Sequence, residues 1–344
     1  MEPSYPFATL SRTDPPRRGR LVEPFASLRR WFDSEASDDI SPHGERPAGS
    51  ERRIDWLRAL PFFGIHAACL GVIWVGWSPV AILVALGLYL VRMFAITGFY
   101  HRYFAHRTFD TSRSAQFLFA LLGASAAQRG PLWWASHHRH HHAHADQPGD
   151  AHSPTRHGFW WSHTGWFLTR EAFAYKRQRI ADWLAFRELR WLDRFDILPP
   201  LGLACSTFAL GGLLEVGAPS LGTDGPQMLV WGFFISTVAL YHATYLVNSL
   251  GHTVGRRRYA TGDTSRNNAL VAVFTLGEGW HNNHHHFPRS ARQGFYWWEL
   301  DITYYLLRLL AATGVIWNLR TVPTAVRDAR APVRDIQEGS ARPS

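Results

Sequence analysis

Apolar residues in this chain gather into four blocks, at about 57–77, 80–100, 197–216 and 228–250, with polar stretches of unequal length between them. Each block approaches the ~20 residues a helix needs to cross the hydrocarbon core of a bilayer. The links 76–79 and 217–227 are short and contain no Arg or Lys, so the blocks pair as two hairpins. The segments 101–196 and 251–320 stand outside the hairpins and read as one helical cap. Two further apolar runs, 114–128 and 306–319, are too short to span. The first is expected as an interfacial or re-entrant helix, and the second is expected to pack on the cap. Residues 1–50 and 321–344 are rich in Pro, Arg, Ser and Asp without apolar periodicity, which predicts disordered tails. The pattern therefore predicts an all-α integral membrane protein: four transmembrane helices in two hairpins, capped by a helical domain.

Charge fixes the orientation. The net charge of +9 would suit nucleic acid, anionic lipid or an acidic substrate. Its distribution decides, because arginines crowd the N-terminal tail (Arg46, Arg52, Arg53), the central segment (Arg102, Arg107, Arg113, Arg129, Arg139) and the stretch after block four (Arg256, Arg257, Arg258). By the positive-inside rule both termini and the cap are expected on the cytoplasmic side, with Pro79 and Asp224 in outward loops. The expected location is the inner membrane of a bacterial cell, with lipid and not nucleic acid as the partner. No charged n-region, apolar h-region and cleavage site open the chain, so no removable signal peptide is expected. The 16 tryptophans suit bilayer interfaces. Arg92 is the only formal charge in block two and needs a carbonyl or carboxylate partner, or a place near an end where it can snorkel. Cys69 and Cys205 are too few and too isolated for a disulfide framework or thiolate site, and read as small core residues.

The chemistry lies in histidine boxes beside these blocks. The first is His101-Arg-Tyr-Phe-Ala-His106, at the end of block two. A spacing of five places the rings roughly 140° apart on an ideal helix, so the helix is expected to end or distort there. The second box holds His138, His141 and His142, and the third His281, His284 and His285. Both have the i, i+3, i+4 spacing that projects imidazoles from one helical face toward a common point. Asn248 and His252 close block four at i, i+4. Imidazole suits Fe, Zn, Cu and Ni. Nine histidines exceed one tetrahedral zinc, and two metals are the economical reading. His137, His140, His144 and His286 flank the boxes off that face and read as non-ligands. His43, His66, His152, His157, His163 and His242 have no partner spacing and read as structural or surface residues. Trp160, Trp161 and Trp166 read as interfacial or core anchors.

With these motifs in order, the chain resembles the integral membrane fatty-acyl desaturases, in particular the stearoyl-CoA (acyl-CoA) delta-9 type. The matching motifs are His101-Arg102 to His106, His138-Arg139-His140-His141-His142, Asn248 to His252 and Gly277 to Pro288. The resemblance implies a desaturase domain at 51–320 and a di-iron centre with O2 as co-substrate. The metal ligands it implies are His101, His106, His138, His141, His142, His252, His281, His284 and His285, with Asn248 acting through water. It also implies that Gln128, Trp134 and Thr244 line a kinked acyl tunnel. The Arg-Asp pair that touches the carrier in the animal enzymes is here Ser136-His137, which leaves long-chain acyl-CoA as the first expectation, with acyl carrier protein or phospholipid chains as rivals. Removing hydrogen from an unactivated methylene needs an oxidant stronger than any side chain, which fits iron and O2. No dinucleotide fingerprint, CxxC cluster or haem domain is present. The electrons are therefore expected from a separate ferredoxin, rubredoxin or cytochrome b5 type protein with its reductase. Small Ala95 and Gly98, just before the first box, are candidates for admitting the terminal methyls of the chain, with close helix packing as the alternative use of small residues. The competing readings are a hydroxylase of the same superfamily and, in another class, a His-rich membrane metal transporter, although transporters place ligands at mid-membrane depth.

Overall fold

A computed structural model describes residues 31–34 and 53–329. Four of its helices are long and apolar enough to cross a membrane: α1 (Trp56–Val75), α2 (Pro79–Ala105), α6 (Leu198–Gly217) and α7 (Gly225–Ser249). Between the hairpins lie β1 (Asp110–Thr111), α3 (Arg113–Ala124), α4 (Pro131–His144) and α5 (Arg187–Arg194). After α7 come α8 (Ala269–Phe274), α9 (His281–His286), α10 (Ile302–Ala312) and β2 (Ile316–Trp317). The helical expectation holds, with one addition: β1 and β2 pair antiparallel, Asp110 opposite Trp317 and Thr111 opposite Ile316.

The hairpin turns are written in local chemistry. Gly76 ends α1 at φ +63, where a side chain would be strained. Ser78 caps α2 by accepting the Ala81 N–H, and Pro79 supplies a first-turn residue that needs no donor. Asp224 does the same for α7 through Gln227 N–H at 2.7 Å. The spans are not equivalent. In the most apolar window of each, α1 and α6 are 11% and 17% buried, against 39% and 50% for α2 and α7. Helices α1, α2 and α6 all pack on α7, which makes α7 the hub. Arg92 is buried in this packing. It reaches Thr237 Oγ1 at 2.7 Å, Ser236 Oγ and the Leu88 carbonyl. Hydroxyls thus join the expected carbonyl in solvating it. The cysteines depart from expectation: Cys69 is half-buried and Cys205 exposed, because the outward face of a span borders apolar lipid and a thiol there needs no core.

The main core sits where the end of α2 meets α3 and the segment before α5. Phe99, Tyr103, Phe104 and Phe109 pack with Phe119 and Trp183, and Phe99 and Phe119 stack at 3.8 Å. Helix α3 buries Phe119 and Ala120 and exposes Leu118 and Leu121, the two-sided character of an interfacial helix. The tail boundaries shift. Residues 31–34 are tied down by Trp31 Nε1 on Leu57 O at 3.0 Å and by the Asp33–Arg194 ion pair. Beyond 321, Thr324–Asp328 is helical and Arg327 O accepts the Tyr259 hydroxyl at 2.6 Å. These short segments find partners on α1, on α5 and at Tyr259, which composition alone does not show. The rest of both expected tails, and His43, lie outside the described residues.

Candidate metal centre

The first box distorts its helix as the spacing requires. From Ala95 to Ala105 helix α2 is a π-helix, and His106 N–H donates to His101 O, an i to i+5 bond at 3.2 Å. Residues five apart then nearly eclipse, bringing the two rings to 5.0 Å.

The second box rides on α4. Pro131 stands in its first turn, and Asp193, on α5, accepts the N–H groups of Leu132 and Trp133, both at 2.9 Å. A carboxylate at a helix N-terminus satisfies orphan donors and meets the positive end of the dipole. Burial nevertheless pushes Asp193 up to about 7, against the pull of those amides. The third box follows a crowded turn. A Cβ at Gly277 (φ +129) would stand 2.5 Å from Asp301 Oδ1, and one at Gly279 would stand 2.1 Å from Ala272 N. Only glycine lets this backbone close.

The nine histidines converge, but on two points. His101, His106, His138, His142 and His284 form one group, and His141, His252, His281 and His285 the other. Each box helix therefore splits: α4 gives the i, i+4 pair His138/His142 to the first group and His141 to the second. Helix α9 mirrors it, giving the pair His281/His285 to the second group and His284 to the first. The single common point expected for each box is corrected to a division between two.

Carboxylates that the spacing did not reveal hold the outer nitrogens. Asp150 Oδ2 meets His141 Nδ1 at 3.0 Å, Asp146 Oδ2 meets His252 Nδ1 at 3.0 Å and Asp263 Oδ2 meets His285 Nδ1 at 2.7 Å. Glu278 meets His101 Nδ1 and also Arg102. An Nδ1–H committed outward leaves Nε2 as a bare lone pair facing inward, the arrangement that orients metal-binding imidazoles. The Nε2 atoms indeed face each other: His101 and His284 at 3.0 Å, His142 and His284 at 2.9 Å, His106 and His138 at 2.8 Å, His252 and His281 at 3.0 Å. His285 Nε2 is buried without a hydrogen-bond partner. Converging lone pairs repel unless a cation lies between them, so this donor set fits two metal ions.

Electrostatics agree. Burial first, then neighbouring imidazoles, holds His106, His138, His142, His281 and His284 far below the usual imidazole range, and His285 falls to about 4. All six are neutral, as ligands must be. Burial raises the Asp146, Asp150 and Asp263 carboxyls, but the histidines and hydrogen bonds facing them pull all three below the usual range.

A cavity of about 500 Å³ starts at this centre, where His138, Trp134 and Asn248 form part of its wall, and continues between the spans past Thr244, Tyr241 and Phe233. Gln128 lines it and donates to Thr244 Oγ1 at 3.1 Å. Gln128 is held between two residues in the left-handed region, Ala127 (φ +56) and Arg129 (φ +72). Their carbonyls accept the Tyr241 and Tyr100 hydroxyls. Such strain persists where surrounding contacts over-determine the backbone. Trp134 stacks on His138 at 5.0 Å. Ala95 and Gly98 are not among the lining residues: Ala95 is buried, and a Cβ at Gly98 would meet the Phe94 ring at 3.0 Å. This cavity therefore does not give them the chain-end role.

The remaining histidines divide. His137 bonds Ala174 O, His140 bonds Gly149 O and His144 bonds His140 O, so backbone holds all three. His152 is buried against His141 and Trp166. His66, His242 and His163 form a hydrogen-bonded row ending on Ser249, which sequence spacing had no means of showing.

Comparison with known proteins completes the picture. The family described as Fatty acid desaturase matches residues 43–320. The chain is 37% identical over 271 residues to an sn-1 stearoyl-lipid 9-desaturase of Anabaena variabilis, covering 78% of this chain and 94% of the relative. It is 34% identical over 310 residues to an acyl-CoA 5-desaturase of Anemone leveillei (85% and 91%). It is 38% identical over 259 residues to a chloroplastic palmitoyl-monogalactosyldiacylglycerol delta-7 desaturase of Arabidopsis thaliana (74% and 66%). The protein belongs to the fatty acid desaturase family. It is thus a membrane oxidoreductase of lipid metabolism, with histidine clusters compatible with metal binding.

Proposed function

We propose that the chain is an O2-dependent di-iron desaturase that introduces a cis double bond at position nine of a saturated acyl chain. The observation that carries this reading is the pair of buried imidazole groups, five and four, at the head of an apolar cavity shaped to take a chain. The nine histidines would hold two irons, with Asn248 acting through water. When bound, such irons would activate O2, the oxidant, with electrons from the donor protein, a role no side chain can fill. This chain's own residues do the rest. Asp146, Asp150, Asp263 and Glu278 orient the imidazoles, Trp134 and the Gln128–Thr244 pair shape the wall beside them, and burial excludes water.

The centre belongs to a cap on the cytoplasmic side, with both termini there and the turns before Pro79 and at Asp224 outside. The arginines of the cap and the absence of Arg and Lys from the turns support this reading. Electrons come from a separate redox protein of ferredoxin, rubredoxin or cytochrome b5 type. The relatives' names include both lipid-linked and CoA-linked substrates, and double bonds at positions five, seven and nine, so carrier and position need direct measurement.

The test is expression in cells lacking a desaturase, with double bonds located by mass spectrometry. A new cis bond at carbon nine is expected, together with two irons per purified chain. A hydroxylated product in its place would move the protein to the hydroxylases. Metal flux in vesicles without lipid turnover would make it a transporter. For topology, a cysteine placed at 224 should label from outside intact cells and one at 257 should not.

A further inference from the structure

The walls of the large cavity say how a chain gets in. Along α1 the lining runs from Arg58 to Ala68, roughly 15 Å of helix, from the end of the span toward its middle. Facing it across the cavity are Pro200, Leu201 and Ala204 on the first turns of α6, while α7 forms the floor. Both α1 and α6 lean on α7. Gly64 and Leu201 both line the cavity and are exposed, and a Cβ built on Gly64 meets nothing within 4 Å. Gly64 lies two turns inside α1 and Leu201 in the first turn of α6, both on spans apolar enough to meet lipid.

The opposite end is roofed. Trp31 lies over the start of α1, bonded to Leu57 O at 3.0 Å, and the segment behind it is clamped by Ser34 Oγ on Asp193 O at 3.0 Å and Asp33 on Arg194 at 2.7 Å. The two arginines of the lining at this end are engaged: Arg58 covers the Phe173 ring at 3.7 Å, and Arg129 pairs with Asp196 at 3.2 Å. A nucleotide thioester would need a water-facing mouth and spare cations for its phosphates. Among the described residues this end offers a tryptophan lid and engaged arginines.

We propose that the slot between α1 and α6 is a side door, through which an acyl chain slides from the cytoplasmic leaflet while its carboxyl end stays esterified to a glycerolipid. The lipid head then remains at the interface beside Trp31, Arg58 and Asp196, and the chain exchanges one apolar surrounding for another. The proposal rests on the desaturase reading and adds the substrate class to it.

The full-length, iron-loaded protein is placed in phosphatidylcholine vesicles with a reductant and O2. The vesicles carry either phosphatidylcholine with isotope-labelled stearate at sn-1 or added labelled stearoyl-CoA. In parallel, phosphatidylcholine with a diazirine midway along one acyl chain is photolysed and the labelled peptides are mapped. Expected are a double bond in the lipid-linked stearate at ten or more times the rate of the CoA ester, and labelling of the cavity floor at Tyr241 to Tyr245. Ala204→Trp should lower both turnover and floor labelling at least tenfold with iron content kept; if it does not fold, Gly64→Phe, whose added ring has open space, replaces it. Faster turnover of stearoyl-CoA, with floor labelling absent or indifferent to the blocked slot, overturns the side door and leaves the desaturase reading standing. No double bond in either substrate, with floor labelling intact and blocked by Ala204→Trp, keeps the door and removes the desaturase reading.

Discussion

The two histidine groups solve one problem differently. The group of four has three members tethered by carboxylates, Asp150 on His141, Asp146 on His252 and Asp263 on His285. The group of five has a single such tether, Glu278 on His101, and that carboxylate is shared with Arg102. Fewer imidazoles are offset by negative charge behind them, and more imidazoles stand where charge is scarce. Tethering raises ligand basicity and fixes the ring, so the two positions present a bound ion with different fields although both donor sets are all nitrogen. His284 links the halves of the five-membered group, since its Nε2 lies near those of both His101 and His142.

Removing a ligand from either group tests the division most severely. His284→Ala and His141→Ala should each lower iron from two toward one per chain and reduce turnover by more than about 100-fold, measured by metal analysis and product formation. Full activity in His141→Ala would overturn the ligand assignment. A smaller effect separates the groups: Asp150→Asn and Asp263→Asn should weaken metal binding by about 10–100-fold, and mainly in the group of four. Equal loss from both positions, followed spectroscopically, would erase the contrast.

Acid should act through the buried neutral rings. Burial lowers His285 and His137 to about 4 and His152 to about 3. Unfolding raises them again, so the unfolded chain takes up protons below about 6.5 while the native rings stay neutral, and stability falls as pH falls. By pH 5 each contributes a loss of about 2 kcal/mol in the metal-free protein, read as a drop in Tm from pH 7 to pH 5. A Tm that holds or rises would show these rings charged in the native state. The smallest effect belongs to His144, which sits on α4 with the second box but bonds the His140 carbonyl. His144→Ala should change iron content and turnover by less than about twofold.

Much of this was legible beforehand because it rests on local rules. Apolar run length located the four spans within a few residues of Trp56–Val75, Pro79–Ala105, Leu198–Gly217 and Gly225–Ser249. The i+5 spacing of His101 and His106 foretold a distorted helix, and the π-helix supplies it. The acidic tethers were missed, although Asp146 and Asp150 follow the second box by only a few residues and Glu278 lies inside the third motif. Nothing local says that an aspartate will face a histidine a hundred residues away, as Asp146 faces His252. Ala95 and Gly98 carried two readings for a related reason: small size marks close packing or an opening equally well, and the cavity found here is lined by other residues.

The sequence by itself determined which residues carry the chemistry and which segments enter the membrane, because ligand type and apolar length are properties of the chain. The tertiary structure decided how α4 and α9 exchange their third histidine between two groups, which carboxylates stand behind them, and that the cavity runs beside α1, α6 and α7 and not along the small residues of α2. Those outcomes depend on how distant helices cross, and crossing is set by packing among all of them at once.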